Sequence, residues 1–221
     1  EKGPYYLKGL VPLAHLLNDP GLKARASAWI DPVLASARAD GNFGPAGNDD
    51  HWPRMVVTHL LRDHHEATGD SRVLPFLENY YRFLRAELPK RPLRDWGRAR
   101  AGDEIETVLW LHDRRPDPAL RDLAKTLGEQ AYPWTEIHHE NRYLEFGADF
   151  HPKHNVNVPQ GMKLSPLLWR LTGDERHRSA FGVASERLNR EHGTPFGMWA
   201  GAEMLCGRSI AAGVETCSTV E

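Results

Sequence analysis

Cysteine is scarce: Cys206 and Cys217 are the only two in 221 residues. Two cysteines cannot make a disulfide framework. One bridge between them and two unpaired thiols are both open. Long apolar runs are missing as well, and none approaches the roughly 20 residues needed to span a bilayer. That excludes a membrane-spanning helix. Charge of one sign is also lacking, with 28 basic and 30 acidic residues, a formal net charge of -2 and no run of like charges. Nucleic acid therefore has no basic footprint to bind. Strand-like alternation is nearly absent. No secretory signal pattern is visible, but the chain opens on Glu1 rather than Met, so its compartment stays open.

Hydrophobic residues make up 40% of the chain, enough to bury a substantial core and to exclude disorder. Seven Trp and twelve His suit a sugar-binding cleft, although Trp equally fills the core of a large helical domain.

A helix–turn–helix boundary recurs along the chain. It reads Leu17-Asn18-Asp19-Pro20, Thr68-Gly69-Asp70-Ser71, Arg115-Pro116-Asp117-Pro118 and Thr172-Gly173-Asp174-Glu175, with the Asp positions 51, 47 and 57 residues apart. Each Asp suits an N-cap, with Gly or Pro stopping the preceding helix and Pro opening the next in two cases. The apolar residues that follow keep a helical period. Val73, Phe76, Leu77, Tyr80, Leu84 and Leu88 form one stripe, and Leu22, Ala26, Trp29, Ile30, Val33 and Ala37 another. Partner helices are predicted over about 4–17, 52–67, 103–113 and 154–171, the last starting late or kinked at Pro159 and Pro166. Asp40-Gly41-Asn42-Phe43-Gly44 and His192-Gly193-Thr194-Pro195-Phe196-Gly197 echo one another at the ends of the first and fourth hairpins.

The pattern implies an all-α fold, an (α/α) toroid of helical hairpins in which residues 1–221 form one partial domain. About four of six hairpins are present and a ninth helix begins near Val214, so the chain is expected to be truncated at the C-terminus and at the N-terminus too. The long connections, 39–51, 89–102, 131–153 and 192–213, are where function is expected to collect. They carry Asp49, Asp50, His51, Trp52, Arg98, Arg100, Trp134, His138, His139, Glu140, His151, Trp199 and Glu203. Carboxylates, imidazoles and indoles in this mixture suit a carbohydrate site.

From His154 onward the order of motifs is specific. His154-Asn155-Val156-Asn157-Val158-Pro159-Gln160-Gly161 precedes Leu171-Thr172-Gly173-Asp174, then Gly201-Ala202-Glu203, then Gly213-Val214-Glu215-Thr216-Cys217. This order resembles glycoside hydrolase family 127, the β-L-arabinofuranosidase-like family, and Glu66-Ala67-Thr68-Gly69-Asp70 and Asp40-Gly41-Asn42-Phe43-Gly44-Pro45 fit the same family. The resemblance implies a retaining glycosidase whose nucleophile is a cysteine thiolate, held on zinc with two further cysteines and a glutamate. Glu215 and Cys217 match the Glu-x-Cys half of that zinc site, where a bound thiol is deprotonated. Glu203 matches the general acid/base, which protonates the departing oxygen and later activates water. His154 matches a histidine lining the sugar pocket, with Gln160 beside it as a further substrate-binding candidate.

The sequence departs from the family at two places. Where members carry Tyr-Cys-x-Gly-His at the start of the third helix, this chain has Trp52-Pro53-Arg54-Met55-Val56, leaving Arg54 or His51 to contact the sugar alongside Trp52. The paired cysteines that include the nucleophile are absent from these 221 residues, so this piece alone is expected to be inactive. Two other readings stay open. One is a different (α/α) toroid carbohydrate enzyme, such as an unsaturated glucuronyl hydrolase using Asp49 or Asp50 without metal. The other is a glycan-binding module without chemistry.

Overall fold

In the computed structural model, which describes residues 2–143, 148–215 and 217, the chain is all-α, with about 68% helix. Ten α-helices are present among the described residues: α1 Lys2–Leu16, α2 Pro20–Ala35, α3 Trp52–Thr68, α4 Val73–Glu87, α5 Asp95–Ala99, α6 Ala101–Arg114, α7 Pro118–Gln130, α8 Trp134–Glu140, α9 Asn157–Thr172 and α10 Glu175–His192. Their described residues contain no helix long and apolar enough to cross a membrane.

The four Asp turns are helix starts. Asp19 Oδ1 accepts the Leu22 N–H at 2.8 Å, Asp70 Oδ1 the Arg72 N–H at 3.0 Å, Asp117 Oδ1 the Ala119 N–H at 2.9 Å and Asp174 Oδ1 the Arg176 N–H at 2.8 Å. The carboxylates of Asp19, Asp117 and Asp174 each satisfy an amide that the first turn leaves without an intrahelical acceptor, whereas Asp70 binds the turn just ahead of α4, whose N-cap is Arg72. The preceding helices α3 and α9 end on Gly69 and Gly173, both in the left-handed region at φ 68° and 75°.

The described residues form two compact units. The first holds 1–93 and 106–124, the second 94–105 and 125–221, so the boundary runs through α6 and α7. In the first unit α1 packs against both α2 and α3, as stacked hairpins require. The predicted stripe on α4 is fully inside: Val73, Phe76, Leu77, Tyr80, Leu84 and Leu88 are all buried. On α2 the buried row is Ala26, Ile30 and Leu34, while Trp29 stays half exposed. The true stripe thus runs along an i, i+4, i+8 line that keeps Ala26 and Ile30 from the set read from the sequence and takes Leu34 in place of the exposed Ala37.

In the second unit α9 packs against α8 and α10. Its first turn carries Pro159, where a missing N–H costs nothing, and Pro166 lies further inside. Two short helices, α5 and α8, sit inside connections that the sequence reading leaves as loops. The expected ninth helix near Val214 falls largely on residues outside the described set; Val214 itself forms an isolated parallel bridge with Gly201.

Candidate functional site

The site of interest lies in the second unit and begins with the turn ahead of α9. Residues His151–Lys153 make one 3-10 turn, and His154 follows in extended conformation at φ -66°, ψ 129°. Its ring folds back onto the start of α9, where Nδ1 accepts the backbone N–H groups of Val156 at 3.2 Å and Asn157 at 3.3 Å. Its carbonyl accepts the Val158 N–H at 3.1 Å. His154 therefore caps the helix with both ring and backbone.

A distant loop is sewn onto this segment. The Asn155 N–H donates to the Glu203 carbonyl at 2.9 Å, the Leu205 N–H donates to the Lys153 carbonyl at 3.2 Å, and His154 and Met204 form an antiparallel bridge. The Asn155 side chain donates to the Gly201 carbonyl at 2.7 Å. Gly201 in turn binds the last strand-like stretch, donating to the Gly213 carbonyl at 2.9 Å and accepting the Glu215 N–H at 3.0 Å. Gly201 has φ +143°, and a Cβ there would stand 2.1 Å from the Met204 carbonyl oxygen. Only glycine fits.

These bonds bring Glu203 and Glu215 to the ring of His154. One ligand-type atom from each of the three residues lies within 4.8 Å of the others, and Glu203 Oε2 is 3.1 Å from His154 Nε2. Their surroundings differ. The Glu203 side chain is 76% exposed, that of His154 only 4%, and Glu215 is half-buried. Burial first, and the Glu203 charge second, push the Glu215 carboxyl above the usual range, with Arg100 pulling the other way. Burial also lowers the His154 imidazole, opposed by its bond to Glu203. Among the described residues Glu215 Oε2 is shielded from solvent and has no hydrogen-bond partner.

One wall of the cluster is aromatic and cationic. Buried Arg100 donates from Nε to Asn157 Oδ1 at 2.8 Å and places its guanidinium 4.6 Å from the Trp96 ring centre. Trp96 meets His151 and His154 edge-on, at centroid distances of 4.7 and 5.3 Å. An exposed carboxylate beside a shielded one, next to an indole and a guanidinium, can exchange protons with a polar ligand and hold it.

The remaining candidates lie elsewhere. Gln160 is buried on α9, and its amide donates to Asp103 Oδ2 at 3.1 Å while Lys163 Nζ stands 2.6 Å from Asp103 Oδ1. It belongs to a buried polar network. Cys217 is an exposed free thiol and is not part of the His154–Glu203–Glu215 group; Cys206 is likewise free and exposed. Trp52 and Arg54 belong to the first unit and are both buried. Arg54 spends its guanidinium on loop carbonyls, donating to Phe43 at 3.2 Å, Asp50 at 2.8 Å and Asn48 at 2.8 Å. Asp50 caps α3 by accepting the Trp52 N–H at 2.9 Å, His51 is buried, and Asp49 faces Arg91 at 3.8 Å. Trp96 goes unnoticed in the sequence, and Asn157 is read only as part of the His154–Gly161 motif without a role of its own; an indole in the long 89–102 connection is the one signal that could have found Trp96.

The chain matches no protein-family model, no curated protein and no solved structure.

Proposed function

We propose that the second unit carries the acid/base half of a retaining glycoside hydrolase site, in a β-L-arabinofuranosidase-like enzyme built on an (α/α) toroid. The observation that carries this reading is the convergence of Glu203, solvent-exposed and hydrogen-bonded to His154, with the shielded Glu215 within 4.8 Å. Glu203 reaches solvent and so can protonate a leaving oxygen and then deprotonate water. Part-exposed Trp96, held from behind by the buried Arg100 guanidinium, supplies an aromatic surface that a furanoside can lie against.

The zinc of the resembling family is partly matched here. Glu215 Oε2, buried and without a partner among the described residues, is an oxygen that a cation would satisfy. On the resemblance, Glu215 and Cys217 would hold the ion together with further cysteine ligands. When bound, zinc keeps a ligating cysteine as thiolate. Glu203 handles protons, while Trp96 orients the sugar and Arg100 holds Trp96 and Asn157 in place.

The test uses the full reading frame with a natural β-L-arabinoside and an activated aryl arabinofuranoside. Glu203→Gln should lose about 10²–10⁴-fold in turnover of the natural substrate and much less in the first step on the activated one. Glu215→Gln should lose bound zinc as well as activity, whereas Glu203→Gln keeps its zinc. Near-normal turnover by Glu203→Gln would overturn the assignment. Sugar binding with no turnover by the wild type would instead favour a glycan-binding module.

A further inference from the structure

We infer that His154 is a positioning residue for Glu203, locked as the tautomer protonated on Nε2, and is not a metal ligand. The inference rests on hydrogen-bond directions around one ring. A neutral imidazole has one N–H and one lone pair. Nδ1 faces two backbone N–H groups, those of Val156 at 3.2 Å and Asn157 at 3.3 Å. Two donors demand a lone pair, so the proton sits on Nε2. From there it points at Glu203 Oε2, 3.1 Å away.

Two consequences follow. First, Glu203 sits on a loop with its side chain 76% exposed, and long exposed side chains otherwise sample many rotamers. His154, 3% exposed and held between Trp96 and the start of α9, is a rigid donor that selects one of them. On the proposed reading of the site, His154 sets where the acid/base carboxyl stands without touching substrate. Second, the His154–Glu203–Glu215 group has the spacing of a three-donor cation site but not the chemistry. Ligation through Nε2 needs the lone pair there and moves the proton to Nδ1. That proton would then confront two N–H donors at the positive end of a 16-residue helix. Any zinc must therefore be held by Glu215 and others, with His154 left free to serve Glu203.

The two roles of the ring can be separated by two amides. In His154→Asn the side-chain oxygen can still cap α9, as Asn does at many helix starts, but its short amide cannot reach Glu203. In His154→Gln the longer amide can donate to Glu203, but the cap is lost. The first variant should keep its Tm and lose up to about 10²-fold in kcat, the usual size of a misplaced catalytic group. The second should drop by about 3 °C, the worth of one cap in a chain of this size, while recovering most of the turnover that the Asn variant loses.

A spectroscopic reading needs no activity and no variant. Long-range proton–nitrogen correlation on the labelled chain should show His154 protonated on Nε2, unchanged when zinc is added. A proton on Nδ1, or a zinc-induced shift of Nε2, would overturn the inference whatever the enzyme does. Full turnover by His154→Asn in an active protein would overturn the positioning role. If the spectrum is as expected but no furanoside is hydrolysed, the hydrolase reading fails and the tautomer assignment stands.

Discussion

Gly161 lies directly against the indole of Trp134: a Cβ added there would stand 2.2 Å from Trp134 Cδ2 and 2.5 Å from Cε2. The missing side chain lets the indole lie across α9, where its Nε1 donates to the Ala99 carbonyl at 2.9 Å and its face stacks on His138. Gly161→Ala should therefore destabilise the fold by about 1–3 kcal/mol, the range for overpacking a filled core. Gly182, on the exposed side of α10 with nothing within 4 Å of a new Cβ, is the control. There alanine should stabilise by about 0.5–1 kcal/mol through the unfolded chain. Denaturant titrations of the two variants read opposite signs.

His138 makes stability fall with acid. It is fully buried, Nδ1 is 3.0 Å from the Tyr143 hydroxyl, and burial lowers its pKa to about 4 from the ordinary 6.5. The folded state therefore resists a proton that the unfolded chain accepts. Stability is unaffected above pH 6.5 and declines as the pH falls from there toward 4, by about 3 kcal/mol at the lower end. Urea midpoints of the wild type and His138→Gln, measured across that window, should converge as the pH drops. Parallel curves would show that His138 is not the group responsible.

Arg54 illustrates a residue whose type is legible but whose task is not. As an arginine at the head of α3 it reads as a sugar contact, yet it closes the 43–50 loop through three carbonyls. Arg54→Met should cost about 3 kcal/mol, since a buried charged hydrogen bond contributes roughly 1.5–3 kcal/mol, the Phe43 carbonyl loses its buried donor and the part-buried Asn48 and Asp50 carbonyls add less. Arg54→Lys should restore little, because a single ammonium cannot span the fork. Thermal unfolding decides this, and an unchanged Tm would return Arg54 to the list of ligand contacts.

What the sequence discloses divides along the distance of the interaction. The Asp caps and the α4 stripe are local, set within three or four residues; Asp19, Asp117 and Asp174 cap as read and the stripe is buried, while Asp70 binds the turn ahead of α4, whose N-cap is Arg72. The Phe43 and Phe196 turns look alike as strings and end differently. Phe43 is 2% exposed and packs at 5.0 and 4.8 Å against Phe76 and Tyr80, whereas Phe196 is 76% exposed. Similar turns do not guarantee similar neighbours. Helices α5 and α8 escape notice because five and seven residues are too few to establish a 3.6-residue period. The meeting of Glu203, Glu215 and His154 is nonlocal, and it depends on Gly201 holding a backbone angle that no residue-type pattern displays.

Gly201 also yields the sharpest separation of site from fold. Its φ of +143° and the 2.1 Å separation between an added Cβ and the Met204 carbonyl oxygen leave no room for alanine, and Asn155 Nδ2 stands only 3.2 Å from the same point. Gly201→Ala must therefore push the 201–205 loop off the His154 segment, breaking the Asn155 bond to the Gly201 carbonyl and the paired bonds to Gly213 and Glu215. These contacts lie outside the helical core of the second unit, so the helices should persist. We expect a loss of about 1–3 kcal/mol from backbone strain, visible as a lowered Tm with an unchanged helical circular dichroism signal. The effect on the site should be larger, since Glu203 and Glu215 both hang from this residue. In the full reading frame, Gly201→Ala should cost about 10²-fold or more in turnover, as expected when catalytic groups shift by about 1 Å. A variant with lowered Tm but normal turnover would place the acid/base carboxyl somewhere other than the loop that Gly201 anchors.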